Sequence, residues 1–542
     1  MRRPTLKEYG AADLAPEGAC AVLRTDHIEK AVQRNRDEVF RFGTALIFIV
    51  GIMLFTIVRT EGGTDGILMV AAAMIGGYMA MNIGANDVAN NVGPAVGSHA
   101  ITLTGAIVIA AFFEAGGALI AGGDVVGTIK SGIIDPDLVG DRDTFIWLMM
   151  AALLAAAVWL NCATAIGAPV STTHSIVGGV LGAGIAASGW GIADWSVVGR
   201  IAASWVISPV MGGLVAAGFL YVIKRTITYK RDVLAAANRM VPILVAGMAW
   251  AFATYLMLKG VKKLIAVPLP LAVLIGLAVA AAVYVILRPH IVARTAAMEN
   301  RKASVNELFT VPLIFAAALL SFAHGANDVA NAVGPLAGIT EAIAEGGVST
   351  SAGIPLWVMA VGAIGIALGL ALYGPKLIRT VGSEITELDK MRAFCIAMAA
   401  AITVIIASQL GLPVSSTHIA VGGVFGVGFL REYIKSSYAR MLDEIREHHA
   451  ESDPEAVEAF LAKFEAADVA GKGEMLREMK AQASADRLLK KRERRGLGHV
   501  HRVELVKRTL LLRIAAAWII TVPIAALLAA MFFFMIRGMM LP

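Results

Sequence analysis

The sequence predicts an all-α polytopic membrane protein built from two related halves, with broken helices and two helical hairpins. Three observations predict it. The 542 residues are 57% hydrophobic and only 16% charged, with mean hydropathy +0.72, whereas soluble chains are about half apolar and about a quarter charged. A polar stretch occurs twice: GANDVANNVGPAVG at 84–97 and GANDVANAVGPLAG at 325–338, with eleven of fourteen positions identical. A second stretch, PVSTTHSIVGGVLGAG at 169–184, returns as PVSSTHIAVGGVFGVG at 413–428, with eleven of sixteen identical. The offsets, 241 and 244 residues, nearly agree, which marks a duplicated unit.

Taken in order, residues 1–41 are polar and basic and predict a cytoplasmic extension with a short helix at most. The apolar run 43–58, within an extra transmembrane helix over 42–60, lies outside the duplication. The first repeat covers 66–223: the run 66–83, the first polar stretch, the runs 102–121 and 145–166, the PVSTTH stretch and the run 197–223. Runs at 241–258 and 264–287 form linking helices over 241–287. The second repeat covers 308–430, through 308–323, the second polar stretch, 354–373, 393–411 and PVSSTH, and ends with a last transmembrane helix over 509–537. A polar insert at 431–508 interrupts it. Its helix-like stretches and basic LLKKRERRG run predict a solvated cytoplasmic appendage; the basic run also suits a regulatory or anionic-lipid contact.

Loop charge decides how the PVSTTH pieces cross. If each forms a hairpin with the run before it and the N-terminus is cytoplasmic, the segments 1–41, 224–240, 288–307 and 374–392 hold 21 Lys and Arg on the inside. The outside holds seven: Arg59, Lys130, Arg142, Lys259, Lys262, Lys263 and Arg537. Lone crossings would put the KRTITYKR run outside, against the positive-inside bias. The hairpin arrangement leaves five net crossings between the two GANDVAN stretches. An odd number inverts one repeat relative to the other, the architecture from which alternating access follows. KGVKK at 259–263 fits the outside poorly.

The polar residues carry the chemistry. A carboxylate at membrane depth costs about 2.5–3.5 kcal/mol on insertion scales, yet Asp87 and Asp328 sit in the duplicated stretch beside Asn86 and Asn327. Gly93-Pro94 and Gly334-Pro335 follow, and such pairs break or end a helix and free carbonyls. Oxygen donors of this kind suit a hard cation such as sodium, placed at Asp87 and Asp328; the same Asn and Asp also suit a purely structural tie across a broken helix. Ser171, Thr172, Thr173 and Ser415, Ser416, Thr417 follow Pro169 and Pro413 and open a Gly-rich arm. A helix N-terminus with hydroxyl donors binds anions without Lys or Arg, although ordinary N-capping uses the same residues. Two Asp and no neighbouring cation mean an anion can load only with cations, which points to cation-coupled symport.

Other residues narrow the classes. Cys20, Cys162 and Cys395 are scattered and give neither a disulfide framework nor a metal site. The long charged N-terminus is unlike a removable signal peptide. His174 and His418 read as packing or hydrogen-bonding groups, and Gly178-Gly179 and Gly422-Gly423 as sites of close helix approach. No HExxH is present, so a membrane zinc protease is unsupported, and no enzyme is expected. Glu114 lies in an apolar run with no acid at the matching place of the second repeat, and reads as an interior pair or coupling residue. The basic residues lie in loops and predict no nucleic-acid partner.

With these motifs in hand, the paired GANDVAN…GP and PVS(T/S)TH stretches resemble the signatures of the inorganic phosphate transporter (Pit) family, over roughly 66–430 and 510–536. The resemblance implies uptake of inorganic phosphate with sodium or a proton as co-substrate, no cofactor, an inverted-topology repeat secondary transporter fold and a multi-pass place in the cell inner (plasma) membrane lipid bilayer, often as a homodimer. Matched by position, Asn86, Asp87, Asn90, Asn327, Asp328 and Asn331 would bind the coupling cation. The two hydroxyl trios would bind phosphate. The extra first span, the long N-terminus and the insert before the last span depart from the family pattern without touching the motifs. Sulfate or metal-phosphate symport is the alternative on the same fold. A cation exchanger would need acidic residues as its main ligands, and a phosphate sensor would need the insert as its output.

Overall fold

The computed structural model describes residues 17–166, 168, 170–260, 267–345, 354–384, 389–449 and 508–540. Among them the regular structure is helical apart from one isolated bridge, Ile134 to Ala193. The first half runs α1 (Glu17–Arg59), α2 (Thr64–Asn86), α3 (Val88–Gly97), α4 (Leu103–Ala121), the short α5 (Gly123–Gly127), α6 (Arg142–Ile166), α7 (Thr172–Ser188) and α8 (Trp195–Ile223). Next come α9 (Val233–Lys259), α10 (Leu269–Thr295) and the short α11 (Lys302–Leu308). The second half runs α12 (Thr310–Asp328), α13 (Ala330–Glu345), α14 (Leu356–Glu384), α15 (Lys390–Gln409), α16 (Ser416–His449) and α17 (Arg508–Met540).

Eleven spans among these residues are long and apolar enough to cross a membrane, and each overlaps one of the apolar runs of the sequence. Backbone groups inside hydrocarbon must bond internally, so apolar runs of this length form helices. Burial sorts them. The α12–α13 span is 89% buried over its apolar window and α2–α3 is 67% buried, whereas α1 and α10 are each 11% buried. α6 and α15 are each 72% buried, so the two spans that carry the GANDVAN stretches lie among the four most buried.

The halves exchange partners. α2 packs on α14 and α12 packs on α4; α7 packs on α17 and α16 packs on α8. Without a hydrophobic drive between helices in lipid, such contacts need small residues that let backbones approach. Gly178 of α7 faces the backbone of Val522, and Gly422 of α16 faces the backbone of Pro209. Arg142 and Asp65 form a two-bond pair at 2.7 and 3.0 Å that ties the starts of α6 and α2. Lys130 and Glu341, both buried, pair at 2.5 Å and tie the π-helical turn Thr128–Gly132 to α13.

Two expectations change. Residues 17–41 are not a short helix at most: they are the first part of α1, which is 43 residues long. Nothing after Pro16 stops the helix, because the stretch is rich in Ala, Glu, Lys, Gln and Arg and lacks Pro. The Gly-Pro pairs do not end their helices either. Pro94 lies inside α3 and Pro335 inside α13, and the interruptions fall upstream, at Asp87 and Val329. Each proline still removes one N–H and so frees the carbonyl four residues back, at Asn90 and Asn331. The insert begins as a continuation of α16 to His449; the rest of it, with the basic run, and Pro169 lie outside the described residues.

Candidate functional site

The hairpin α6–α7 turns through an extended Ser171, at φ −90° and ψ 122°. Ser171 Oγ accepts the His174 N–H at 3.1 Å, and Ser415 Oγ accepts the His418 N–H at 3.2 Å. Both are N-caps. The first backbone N–H groups of α7 and α16, at Thr172, Thr173, Ser416 and Thr417, have no acceptor within their own helices. They lie at the positive end of each helix dipole, where an anion is favoured.

The α2–α3 and α12–α13 spans bring their carboxylates to these two helix starts. Thr172 Oγ1 donates to Asp87 Oδ2 at 2.5 Å, and Thr417 Oγ1 donates to Asp87 Oδ1 at 3.0 Å. Ser416 Oγ donates to Asp328 Oδ2 at 2.9 Å. The amides cross over as well. Asn90 Nδ2 donates to Thr417 Oγ1 at 2.9 Å, and Asn331 Nδ2 donates to Thr172 Oγ1 at 3.0 Å and Thr173 Oγ1 at 3.2 Å. Thr173 Oγ1 in turn donates to the Val414 carbonyl at 3.0 Å. So each hairpin start touches polar residues of the other half. The carbonyl oxygens of the Asn90 and Asn331 side chains and Asp328 Oδ1 are buried without a hydrogen-bond partner. Orphaned buried oxygens of this kind are acceptors waiting for a proton or a cation.

Asn86 and Asn327 reach a different place. Asn86 Nδ2 donates to Thr164 Oγ1 at 2.9 Å and to the Ala168 carbonyl at 3.3 Å, and Asn86 Oδ1 accepts the Val170 N–H at 3.2 Å. Asn327 Nδ2 donates to Ser408 Oγ at 2.9 Å and to the Leu412 carbonyl at 3.3 Å. Both amides bond the bend between the two arms of a hairpin. The two histidines after the trios lie against each other, tilted by 39° with ring centres 4.4 Å apart. Trp205 meets His174 edge-on at 3.7 Å and Trp518 stacks on His418 at 3.6 Å, which closes the hairpin starts on one side.

One polar chain stands on a single side. Asn91 Nδ2 donates to Glu114 Oε1 at 2.7 Å, and His324 Nδ1 lies 2.7 Å from Glu114 Oε2. His324 Nε2 lies 2.8 Å from Asp328 Oδ2 but is not aimed at it as a hydrogen bond. All are buried. Glu114 is thus the interior pair its sequence position suggested. His324 is a residue that sequence reasoning passes over, because a lone His in an apolar run is ordinary; its i,i+4 spacing to Asp328 was the available signal. One ligand atom each from Asp87, His324 and Asp328 fall within 4.8 Å of one another, close enough to share an ion. Chemically the site offers two carboxylates, an imidazole, amide oxygens, hydroxyls and two helix starts, with no Lys or Arg among its members.

Comparison with known proteins follows the same lines. The sequence profile of the Phosphate transporter family matches residues 83–529. A protein named "Putative phosphate permease" in Helicobacter pylori (strain J99) is 52% identical over 514 residues, covering 93% of this chain and 96% of that protein. One of the same name in Chlamydia muridarum is 40% identical over 385 residues, covering 67% of this chain and 90% of that protein. A solved structure titled "The sodium-dependent phosphate transporter" is similar with a TM-score of 0.70 at 30% identity, covering 88% of this chain and all of the other.

Proposed function

The chain belongs to the phosphate transporter family, and we propose that it carries inorganic phosphate in symport with a cation, sodium or proton, by alternating access. The observation that carries this reading is the meeting of both hairpins on one carboxylate, through Thr172 and Thr417 on Asp87. Their hydroxyl protons are spent on Asp87. A cation at Asp87, and another at Asp328, releases those hydroxyls and cancels the charge that would repel phosphate. Ser416, Thr417, Thr172 and Thr173, with the free N–H groups at the two helix starts, then hold the anion, and Ser171 and Ser415 keep those starts capped. Asn90 and Asn331 bridge cation and anion. Asn86 and Asn327 align each helix break with its hairpin. A sodium-dependent neighbour at 30% identity supports sodium as the coupling ion.

The exchange of helix partners between the halves supports inverted repeats over 66–223 and 308–430, with the last helix at 509–537 completing the second. In this reading the protein sits in the plasma membrane as a homodimer. The extension 1–41 and the insert 431–508 face the cytoplasm, and the helices at 42–60 and 241–287 lie outside the duplication. A second reading, phosphate carried as a neutral metal complex, is supported by the grouping of Asp87, His324 and Asp328, since mixed imidazole and carboxylate donors suit a divalent metal.

The deciding experiment is phosphate uptake into proteoliposomes with sodium, proton and divalent-cation gradients imposed separately. Sodium-driven accumulation supports the main reading; accumulation that requires only a divalent metal supports the second; uptake indifferent to all three overturns both. Single cysteines at Gly63 and Glu345 should react from outside, and one at Tyr229 only after permeabilisation. External labelling at Tyr229 would overturn the inversion.

A further inference from the structure

Away from this site, α9, α10 and α12, with Phe113 of α4, surround a cavity of about 520 Å³. Its walls are apolar through Phe113, Phe252, Val283 and Phe315. One end differs: it is lined by His290 and Arg294, both exposed, near the end of α10. From Val283 to Arg294 the helix advances about 16 Å at about 1.5 Å per residue. That is about half of a hydrocarbon core about 30 Å thick, the depth of one leaflet. An apolar slot one leaflet deep, ending in basic side chains at the interface, has the shape of a lipid chain with its headgroup.

The chemistry at the basic end sharpens this. Arg294 has no hydrogen bond or ion pair among the described residues, so its guanidinium donors are free for a phosphodiester. His290 Nδ1 faces the Ile286 carbonyl at 2.7 Å, which leaves Nε2 for a ligand. The loop charge of 288–307 puts this end at the cytoplasmic face, where anionic lipids concentrate. Spread over about 16 Å, this volume averages about 30 Å² in cross-section, room for one acyl chain but not for a helix about 10 Å across from a second copy. We propose that this cavity is a binding site for an anionic phospholipid, one acyl chain lying between α9, α10 and α12 and the headgroup phosphate on Arg294 and His290.

The test uses the full-length protein, delipidated in detergent and titrated with phosphatidylglycerol or phosphatidylcholine of identical chains, read by native mass spectrometry. One phosphatidylglycerol per chain is expected to bind about tenfold or more tighter than phosphatidylcholine, whose phosphate is the same but whose choline cation cancels the net charge and is repelled by Arg294. Arg294→Gln, at an exposed position, should erase that preference and leave the weaker binding. Ala249→Phe, which fills the slot, should weaken both lipids, and inorganic phosphate should displace neither. Equal binding of the two lipids, with Arg294→Gln indistinguishable from wild type, would mean ordinary boundary lipid and overturn the proposal. Displacement by inorganic phosphate would mean an ion site and overturn it equally, as would cross-links joining Val283 to a second copy.

Discussion

Asp87 receives hydroxyl protons from both hairpins, Thr172 at 2.5 Å and Thr417 at 3.0 Å, whereas Asp328 receives one, from Ser416 at 2.9 Å, and has the His324 ring 2.8 Å away. The backbones around them match. Gly325 lies against the backbone of Glu114, and Gly84 lies against the backbone of Ile366. By that pairing Ile366 stands where Glu114 stands, and by the 241-residue offset Ile83 and Ala332 stand where His324 and Asn91 stand. Three buried polar groups, drawn from both halves, lead to Asp328, and the matching places beside Asp87 are apolar. Duplication kept the motif and the close backbone contacts, and left the electrostatics around each carboxylate free to diverge. Asp87 is held by two hydroxyl donors; Asp328 is held by one and lies beside a ring anchored on Glu114.

The largest effect that would sharpen this contrast is at Asp87. Asp87→Asn should reduce phosphate accumulation against a gradient to the level of empty vesicles, in protein that inserts normally. Asp328→Asn, where a ring nitrogen lies 2.8 Å from the carboxylate, should keep accumulation at saturating cation and weaken cation affinity about ten- to a hundredfold, the range for a lost contact to a charged group. Uptake at graded sodium reads both, and equal loss in the two variants would dissolve the asymmetry.

Next in size is the polar chain itself. Removing one member of a buried pair costs about 3–5 kcal/mol, while replacing the whole with apolar residues is often neutral. Glu114→Ile alone should lower the unfolding free energy by about that amount. The triple variant Asn91→Ala, Glu114→Ile, His324→Ile, which copies the residues beside Asp87, should recover most of it. Thermal unfolding in detergent tests the pair, and a triple variant less stable than the single one would show that the halves do not share a packing template.

Smaller effects separate the hydroxyls. Thr172 donates to Asp87 and accepts from Asn331, while Ser416 has the one bond to Asp328. Thr172→Val should weaken phosphate affinity about tenfold to a hundredfold and Ser416→Ala toward the lower end of that range. Equilibrium phosphate binding measures it, and unchanged affinity in both would return these residues to plain capping. The smallest change is expected at Ser171→Ala, which removes a cap worth about 1 kcal/mol and should shift stability more than affinity; a larger loss of phosphate binding there than at Thr172 would reverse the assignment.

Much of this was legible in the chain before any fold was known. Eleven apolar runs match the eleven spans among the described residues, because a backbone in hydrocarbon has few alternatives to a helix. The doubled GANDVAN and PVS(T/S)TH stretches marked the residues that gather at the centre, because polar residues at membrane depth are too costly to scatter. The Gly-Pro pairs misled: a proline within a span can be accommodated when neighbouring helices hold it, so the interruptions moved to Asp87 and Val329. The N-terminal helix was underestimated for a similar reason, since low hydropathy ends a span but does not end a helix.

Local sequence thus determined the number and kind of elements and the chemistry at each motif. Only the tertiary structure decided which donor met which acceptor. That Thr417 reaches Asp87 across 330 residues, that Asn86 and Asn327 bond hairpin bends, and that His324 closes a line from Asp328 to Glu114 depend on how the halves exchange partners. A hydrogen bond is set within a few tenths of an ångström and a few tens of degrees, and sequence spacing fixes such geometry within one helix but not between helices joined by long chain segments.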